Sequence, residues 1–325
     1  MTSKNKKLWM LIGVVPILML LLVACRPTST LTVTRTPSVE HEEPAGLALN
    51  WSDINDWLYQ LQGLDLDAVG KSRYDLVVMD YSSDGTTAGE YTAAEIAALK
   101  NSPGGPKLVL AYVSIGEAED YRYYWQSDWK PGNPKWLDAE NPNWPGNYKV
   151  KYWYPEWRNT IFGYLDRIIA AGFDGVYLDL IDAYEYYMQT RPTAEQEMVD
   201  FMVAISDYAH VTKNKPNFGI FPQNAAVLEA HPGYLTAITG IGQEETYYGY
   251  DGMDNVPTLP KVTSEIESHL DKFAAAGKLV LTADYTTQQE QINDAYQRAK
   301  GKGYIPFCTV RDLDQLIINL SHEPD

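Results

Sequence analysis

From about residue 50 to the C-terminus, short apolar runs alternate with stretches of helical period, and this alternation leaves few folds open. Asp75 to Asp80 (DLVVMD), Lys107 to Ser114 (KLVLAYVS) and Gly175 to Asp179 (GVYLD) are near-continuous apolar runs, the pattern of strands buried on both faces of a parallel sheet. Trp57 to Gln62, Asn217 to Phe221, Leu235 to Thr239, Leu279 to Ala283 and Tyr304 to Thr309 supply five more strand candidates. Helices are expected at Thr92 to Lys100, which opens on the capping pair Thr92 and Glu95, and at Glu156 to Ala171, Thr193 to His210, Thr263 to Ala276, Gln288 to Lys300 and Leu313 to Ile318. A short helical turn is expected at Val227 to Ala230. Alternating strands and helices build an open doubly wound sheet or a closed barrel. Eight strand candidates favour an α/β fold of the (β/α)8 or TIM-barrel type, a single domain over residues 46–325, since such barrels commonly occupy ~250 residues.

The N-terminus reads as an address. Lys4, Lys6 and Lys7 precede an apolar run from Leu8 to Ala24, the layout of a signal peptide over residues 1–24. The run ends Leu22-Val23-Ala24-Cys25, which looks like a bacterial lipobox, so Cys25 is expected to carry lipid and to anchor the protein in the cell envelope, facing the exterior or the periplasm. Residues 25–45, rich in Thr, Ser, Pro and Glu, form a tether. Cys308 is then the one remaining thiol, expected as a small buried hydrophobe with no disulfide partner.

Charge and motifs remove several function classes. A formal charge of −17 with no basic stripe repels a phosphate backbone, so no nucleic-acid partner is expected. The chain has no Gly-x-Gly-x-x-Gly after its first strand, no P-loop, no Gly-x-Ser-x-Gly elbow and no His-Glu-x-x-His, which removes the main support for dinucleotide, nucleotide, serine-hydrolase and zincin readings. The five histidines (His41, His210, His231, His269 and His322) fall in the tether, helices, a loop and the tail, not at strand ends. Neither a metal nor another cofactor is expected, and the protein is expected as a monomer.

In a barrel, chemistry is built where strands end and their following loops begin. Those positions here are crowded with acids and other polar groups: Asp80 after the second strand, Tyr112 and Ser114 with Glu119 after the third, Asp179 and Asp182 after the fourth, Gln223 and Asn224 after the fifth. Glu244 and Glu245 follow the sixth, Asp284 and Tyr285 the seventh, and Arg311 the eighth. Like charges gathered in a cleft raise at least one carboxyl pKa, and a protonated acid beside an ionised one is what glycoside hydrolysis requires, without a cofactor. Asp179 is the foremost catalytic candidate, since it ends an apolar strand without a turn residue after it. Glu244 and Glu245 are adjacent, and neighbours in an extended segment face opposite ways, so one of the two is expected to point into the site. Six of nine tryptophans fall between residues 125 and 157, in a long insertion after the third strand. Trp125 and Trp153 are candidates for stacking on sugar rings, with a self-packing aromatic loop as the alternative.

The stretch from Ala111 to Arg122 (AYVSIGEAEDYR), together with Gly172 to Asp179 (GFDGVYLD) and Gly242-Gln243-Glu244-Glu245, resembles glycoside hydrolase family 114, its bacterial and archaeal branch most closely, over roughly residues 50–320. The resemblance implies a (β/α)8 barrel and retaining endo-cleavage of α-1,4-linked galactosamine polymers, with Asp179 as nucleophile and Glu244 as acid/base. In the family's fungal branch Pro-Asp-Asn stands where this chain has Leu178-Asp179-Leu180, and Glu-Gln-Cys where it has Glu244-Glu245-Thr246. The remaining candidates, Asp80, Tyr112, Ser114, Glu119, Asp182, Gln223, Asn224, Glu245, Asp284, Tyr285 and Arg311, are expected to bind a polysaccharide substrate. A non-catalytic carbohydrate-binding lipoprotein on the same barrel is the alternative. In the glycosidase reading Asp179 stays ionised while neighbouring carboxylates raise the pKa of Glu244.

Overall fold

The computed structural model describes residues 49–325. The residues expected to form the signal peptide and tether, Cys25 among them, lie outside the described residues. Eight parallel strands follow one another: β1 Trp57–Tyr59, β2 Leu76–Asp80, β3 Leu108–Ser114, β4 Gly175–Asp179, β5 Gly219–Pro222, β6 Gly240–Glu244, β7 Leu279–Tyr285 and β8 Ile305–Thr309. Strands β1 to β5 pair in chain order as one parallel sheet, and β6 to β8 as another. At the first seam a parallel bridge joins Gln223 to Gly242, and the Thr239 N–H donates to the Ile220 carbonyl at 2.9 Å. At the second, the Trp57 indole donates to the Ile305 carbonyl at 2.9 Å, and the N–H groups of Leu61 and Gln62 donate to the Leu313 carbonyl at 2.8 and 3.1 Å. These contacts set β5 beside β6 and β8 beside β1, the arrangement of a (β/α)8 barrel, although among the described residues no strand ladder spans either seam.

Helices α1 Leu66–Lys71, α2 Ala93–Lys100, α3 Pro155–Ala171, α4 Tyr184–Met188, α5 Ala194–Asp207, α6 Tyr234–Ala237, α7 Pro260–Ala275 and α8 Gln289–Gly301 occupy the connections. The Thr92 hydroxyl accepts from the Glu95 N–H while the Glu95 carboxylate accepts from the Thr92 N–H, so α2 starts where the capping pair predicts. Helix α3 turns Trp157, Ile161, Tyr164, Leu165 and Ile168 onto the barrel, the i, i+4, i+7, i+8, i+11 spacing of one helical face. The lumen is filled from below by aromatic rings: Tyr59 and Tyr177 lie 5.2 Å apart, and Trp57 lies 5.8 Å from Phe307.

Four expectations need correction. The apolar run Leu235 to Thr239 is not the sixth strand; Tyr234–Ala237 is a helical turn and the strand is Gly240–Glu244. Glycines are poor strand formers, yet a Cβ at Gly240 would lie 2.4 Å from the Phe221 ring and one at Gly242 only 1.9 Å from the Tyr177 hydroxyl. Tertiary packing, not propensity, selects these residues. Leu313 to Ile318 forms no helix. Leu313 adopts φ 48°, and the segment is drawn across the barrel by its carbonyls, with Tyr74 donating to Ile317 at 2.7 Å. The first strand stops at Tyr59, short of Gln62. The insertion after β3 is not a plain loop, because Glu117–Glu119, Leu137–Glu140 and Asn147–Val150 pair as a three-stranded antiparallel sheet. Among the described residues, no helix is long and apolar enough to cross a membrane.

Candidate active site

Alternation along β4 turns Tyr177 and Asp179 to the same side, and the Tyr112 hydroxyl from β3 donates to Asp179 Oδ2 at 2.5 Å. The other carboxyl oxygen accepts the Leu180 N–H at 2.7 Å. Two strands further round, Glu244 accepts from the Tyr285 hydroxyl and, at 3.0 Å, from Asn224 Nδ2. Asn224 Oδ1 in turn accepts the Glu244 N–H at 3.0 Å and the Gln243 side-chain amide at 3.1 Å, so the β5 terminus fixes both the backbone and the carboxylate of Glu244. Each of the two acids is thus held by one phenol. Burial above all keeps both phenols protonated, so they act as donors.

The strands stop abruptly here. Leu180, Asn224 and Glu245, each directly after or one residue beyond a strand end, have φ of 59°, 60° and 54°. Non-glycine residues in the left-handed region are held there at a cost of about 1–3 kcal/mol each, and such positions gather at functional sites. The turn at Glu245 also separates the two adjacent glutamates. Glu244 joins Tyr285 and Asn224, whereas Glu245 is bound by Arg311 Nη1 at 2.9 Å. Arg311 also grips Asp254 at 3.0 Å and lies over the Tyr285 ring at 4.0 Å, so it braces the phenol that touches Glu244.

Asp179 has its pKa raised to about 7, chiefly by burial and next by the charge of Glu244; the Tyr112 hydrogen bond opposes this. That differs from the expectation that Asp179 simply stays ionised: burial in the barrel mouth places the elevated carboxyl at β4. Asp182, in the turn after β4, is raised to about 6 by burial and then by Glu185. Among the described residues, Asp179, Asp182, Glu185 and Glu244 have no basic partner in a salt bridge.

Other candidates sit around or beneath this pair. Asp80 and Glu119 are not free carboxylates. Arg122 clamps Asp80 with two bonds of 2.8 and 2.7 Å and reaches Glu119 at 2.6 Å. Ser114 is buried, and its hydroxyl donates to the Glu117 carbonyl at 3.1 Å, which shapes the turn into the insertion and does not face a ligand. Gln223 lies in the floor, accepting from Tyr59 at 3.2 Å. Trp125 packs on Tyr148 at 4.9 Å, and Trp153 meets Tyr187 at 4.8 Å with the Arg191 guanidinium 4.3 Å over its ring. Most of the tryptophan cluster packs on itself, as with Trp129 and Trp136 at 4.8 Å and Trp136 and Trp157 at 5.0 Å.

Asp284 is a correction, because it does not open onto the cleft. Tyr285 points inward to Glu244, so its neighbour points out, where Asp284 is fully buried and accepts the N–H groups of Tyr247 and Tyr248 at 2.6 and 2.8 Å. It holds the loop that follows Glu244. Burial raises its pKa to about 7 from an ordinary 3.8. A raised carboxyl stabilises the fold below its unfolded pKa, and that contribution is lost as pH rises through the folded value, here between about 4 and 7. Asp284→Asn keeps an acceptor for both N–H groups and is expected to melt higher than the parent at pH 8, with the gap closing near pH 4. A gap of constant size in thermal melts across that range would rule out the titration of Asp284 as its cause.

Sequence reasoning missed two residues. Arg122, buried in the insertion, carries no signal that separates it from a solvated arginine. Tyr177 reads as core, but its hydroxyl has no hydrogen-bond partner within the protein and reaches across to Gly242, beneath the two acids.

The sequence profile of glycoside-hydrolase family GH114 matches residues 40–323. The chain belongs to family GH114. It is therefore a glycoside hydrolase by family. An uncharacterized protein of Methanocaldococcus jannaschii is 41% identical over 275 residues, covering 80% of this chain and 77% of the relative. One of Deinococcus radiodurans is 42% identical over 272 residues, covering 82% and 84%. The barrel is similar to the glycoside hydrolase domain of PelA from Pseudomonas aeruginosa, with a TM-score of 0.62 at 19% identity over 82% of this chain and 98% of that one. It is also similar to Aspergillus fumigatus Ega3, solved in complex with galactosamine, with a TM-score of 0.57 at 18% identity over 80% and 92%.

Proposed function

We propose that this GH114 member is a retaining endo-glycosidase of an amino-sugar polysaccharide such as an α-1,4-linked galactosamine polymer, with Asp179 as nucleophile and Glu244 as acid/base. The observation that carries this reading is the pair itself: two carboxyls from the ends of β4 and β6, electrostatically coupled, each held by a phenol at the barrel mouth. Asp179 attacks the anomeric carbon while Glu244 gives a proton to the departing glycosidic oxygen; Glu244 then takes a proton from the water that releases the sugar from Asp179. Attack requires an ionised Asp179, so this carboxyl, raised to about 7 by burial, must be in its carboxylate form while Glu244 carries the proton that the leaving oxygen takes. A cationic amino sugar supplies the means. Its ammonium, placed beside Asp179, which has no basic partner in a salt bridge among the described residues, favours the ionised nucleophile.

Incubating the purified protein with partly deacetylated galactosamine and glucosamine polymers, followed by product mass analysis, tests the substrate. Short oligomers from the galactosamine polymer are expected. Binding without any product would favour the carbohydrate-binding alternative.

In the same reading the enzyme works at the cell envelope, held by lipid on Cys25 after removal of residues 1–24. Cys25→Ala is expected to move the protein from the membrane fraction to the soluble fraction or to block its processing. Metabolic labelling with a radioactive fatty acid checks this, and a parent protein that takes up no label refutes the anchor.

A further inference from the structure

A cavity of about 430 Å³ opens between the inserted sheet and α4, lined by Asp138, Lys151, Trp153, Tyr186, Tyr187 and Arg191. We propose that it is a distal subsite for an uncharged pyranose unit, such as an N-acylated amino sugar, of the same polysaccharide. This rests on the glycosidase reading above and adds a second, chemically different site to it.

Three observations support the assignment. First, the cavity offers a half-exposed aromatic ring. Tyr187 stands as a buried pillar, perpendicular to Trp153 at 4.8 Å and nearly so to Tyr186 at 4.8 Å, with its hydroxyl directed to Asp138. Arg191 covers the Trp153 ring at 4.3 Å, whereas Tyr186, with Lys149 farther off at 5.3 Å, remains 53% exposed and is the more open platform. An exposed phenol with an apolar face and a polar rim suits a pyranose, which has the same two-sided character.

Second, the charges here cancel where those at the barrel mouth do not. Lys151 pairs with Asp138 at 3.4 Å, Arg191 grips Glu197 at 2.5 Å, and Lys149 pairs with Glu117 at 3.4 Å. Asp138, the carboxylate that lines the cavity, is already engaged by Lys151, so a free amine gains no unpaired counterion from the lining. An acylated amine carries no charge to satisfy, and its methyl group can lie on the aromatic surface.

Third, the cavity borders the element that leaves the catalytic mouth: α4, which carries Tyr186 and Tyr187, begins five residues after Asp179 through the turn Ile181–Ala183. Lys149 pairs with Glu117 of the inserted sheet and extends over the Tyr186 ring at 5.3 Å, so the sheet and α4 meet at this ring.

The test uses the whole protein carrying Asp179→Asn to prevent turnover, titrated calorimetrically with a fully N-acetylated galactosamine oligomer and with its free-amine counterpart. Adding Tyr186→Ala, a change at an exposed ring, is expected to weaken the acetylated oligomer by about tenfold, the scale of one lost ring stack, and the free-amine oligomer by less than twofold. Binding of the acetylated oligomer is expected to be insensitive to salt, while that of the cationic oligomer falls as salt screens the acidic mouth. Equal affinities with and without Tyr186 overturn the subsite, as does an equal loss for both oligomers. If the subsite alone is wrong, the Asp179-intact chain still cleaves the polymer; if it neither cleaves nor binds either oligomer, the glycosidase reading falls and the subsite with it.

Discussion

Asp179→Asn is expected to lower turnover by at least about a thousandfold, because the amide cannot form the covalent glycosyl intermediate. The fold should persist. The new side chain retains an oxygen to accept from Tyr112 or Leu180, the two donors now bonded to the carboxylate. It should even melt higher than the parent at pH 8, since the carboxyl raised to about 7 by burial destabilises the folded state when ionised above that pH and not when protonated below it. Gain in stability with loss of activity is what a buried nucleophile predicts and a structural aspartate does not. Glu244→Gln should show a different pattern, slow on natural linkages yet close to the parent on substrates with good leaving groups, which need no protonation. Azide should restore turnover to Glu244→Ala with retained configuration at the anomeric carbon. Activity of Asp179→Asn within tenfold of the parent would remove Asp179 from the chemistry and point to Asp182, also raised by burial, as the next partner for Glu244.

Arg122→Met is expected to cost about 3–5 kcal/mol of folding stability, the range for breaking a buried ion pair by removing one partner. The side chains of Arg122 and Glu119 are 1% and 4% exposed and that of Asp80 is 14% exposed, so losing the guanidinium leaves two carboxylates with neither water nor a counterion. Asp80 already has its pKa raised by burial, against which Arg122 is the main opposing influence. Lysine should be a poor replacement, because its single ammonium cannot make the forked contact with both Asp80 oxygens while also reaching Glu119. Adding Asp80→Asn and Glu119→Gln to Arg122→Met should recover much of the loss, since the buried charges are then gone. Urea unfolding of the single and triple variants decides the matter; a loss below about 1 kcal/mol for the single variant would show that water reaches the cluster and that the clamp is an ordinary surface pair.

The barrel was legible in the sequence because a parallel strand buried on both faces has no choice but to be apolar throughout. Asp75 to Asp80, Lys107 to Ser114 and Gly175 to Asp179 therefore announce their strands, and the acid at the end of two of them marks the mouth of the barrel. Local chemistry was equally plain at α2, where Thr92 and Glu95 satisfy each other's N–H groups within four residues of chain. Contacts between distant segments decided the rest. Nothing local distinguishes Asp284 from Tyr285, or Glu244 from Glu245: which of two neighbours enters the lumen depends on strand register and on a left-handed turn set by Asn224 and Arg311 from other strands. The sixth strand lies in a glycine-containing segment because Phe221 and Tyr177, contributed by β5 and β4, occupy the space a side chain would need. Propensity is a property of a few consecutive residues, whereas these choices are made by atoms that meet only after the barrel has closed.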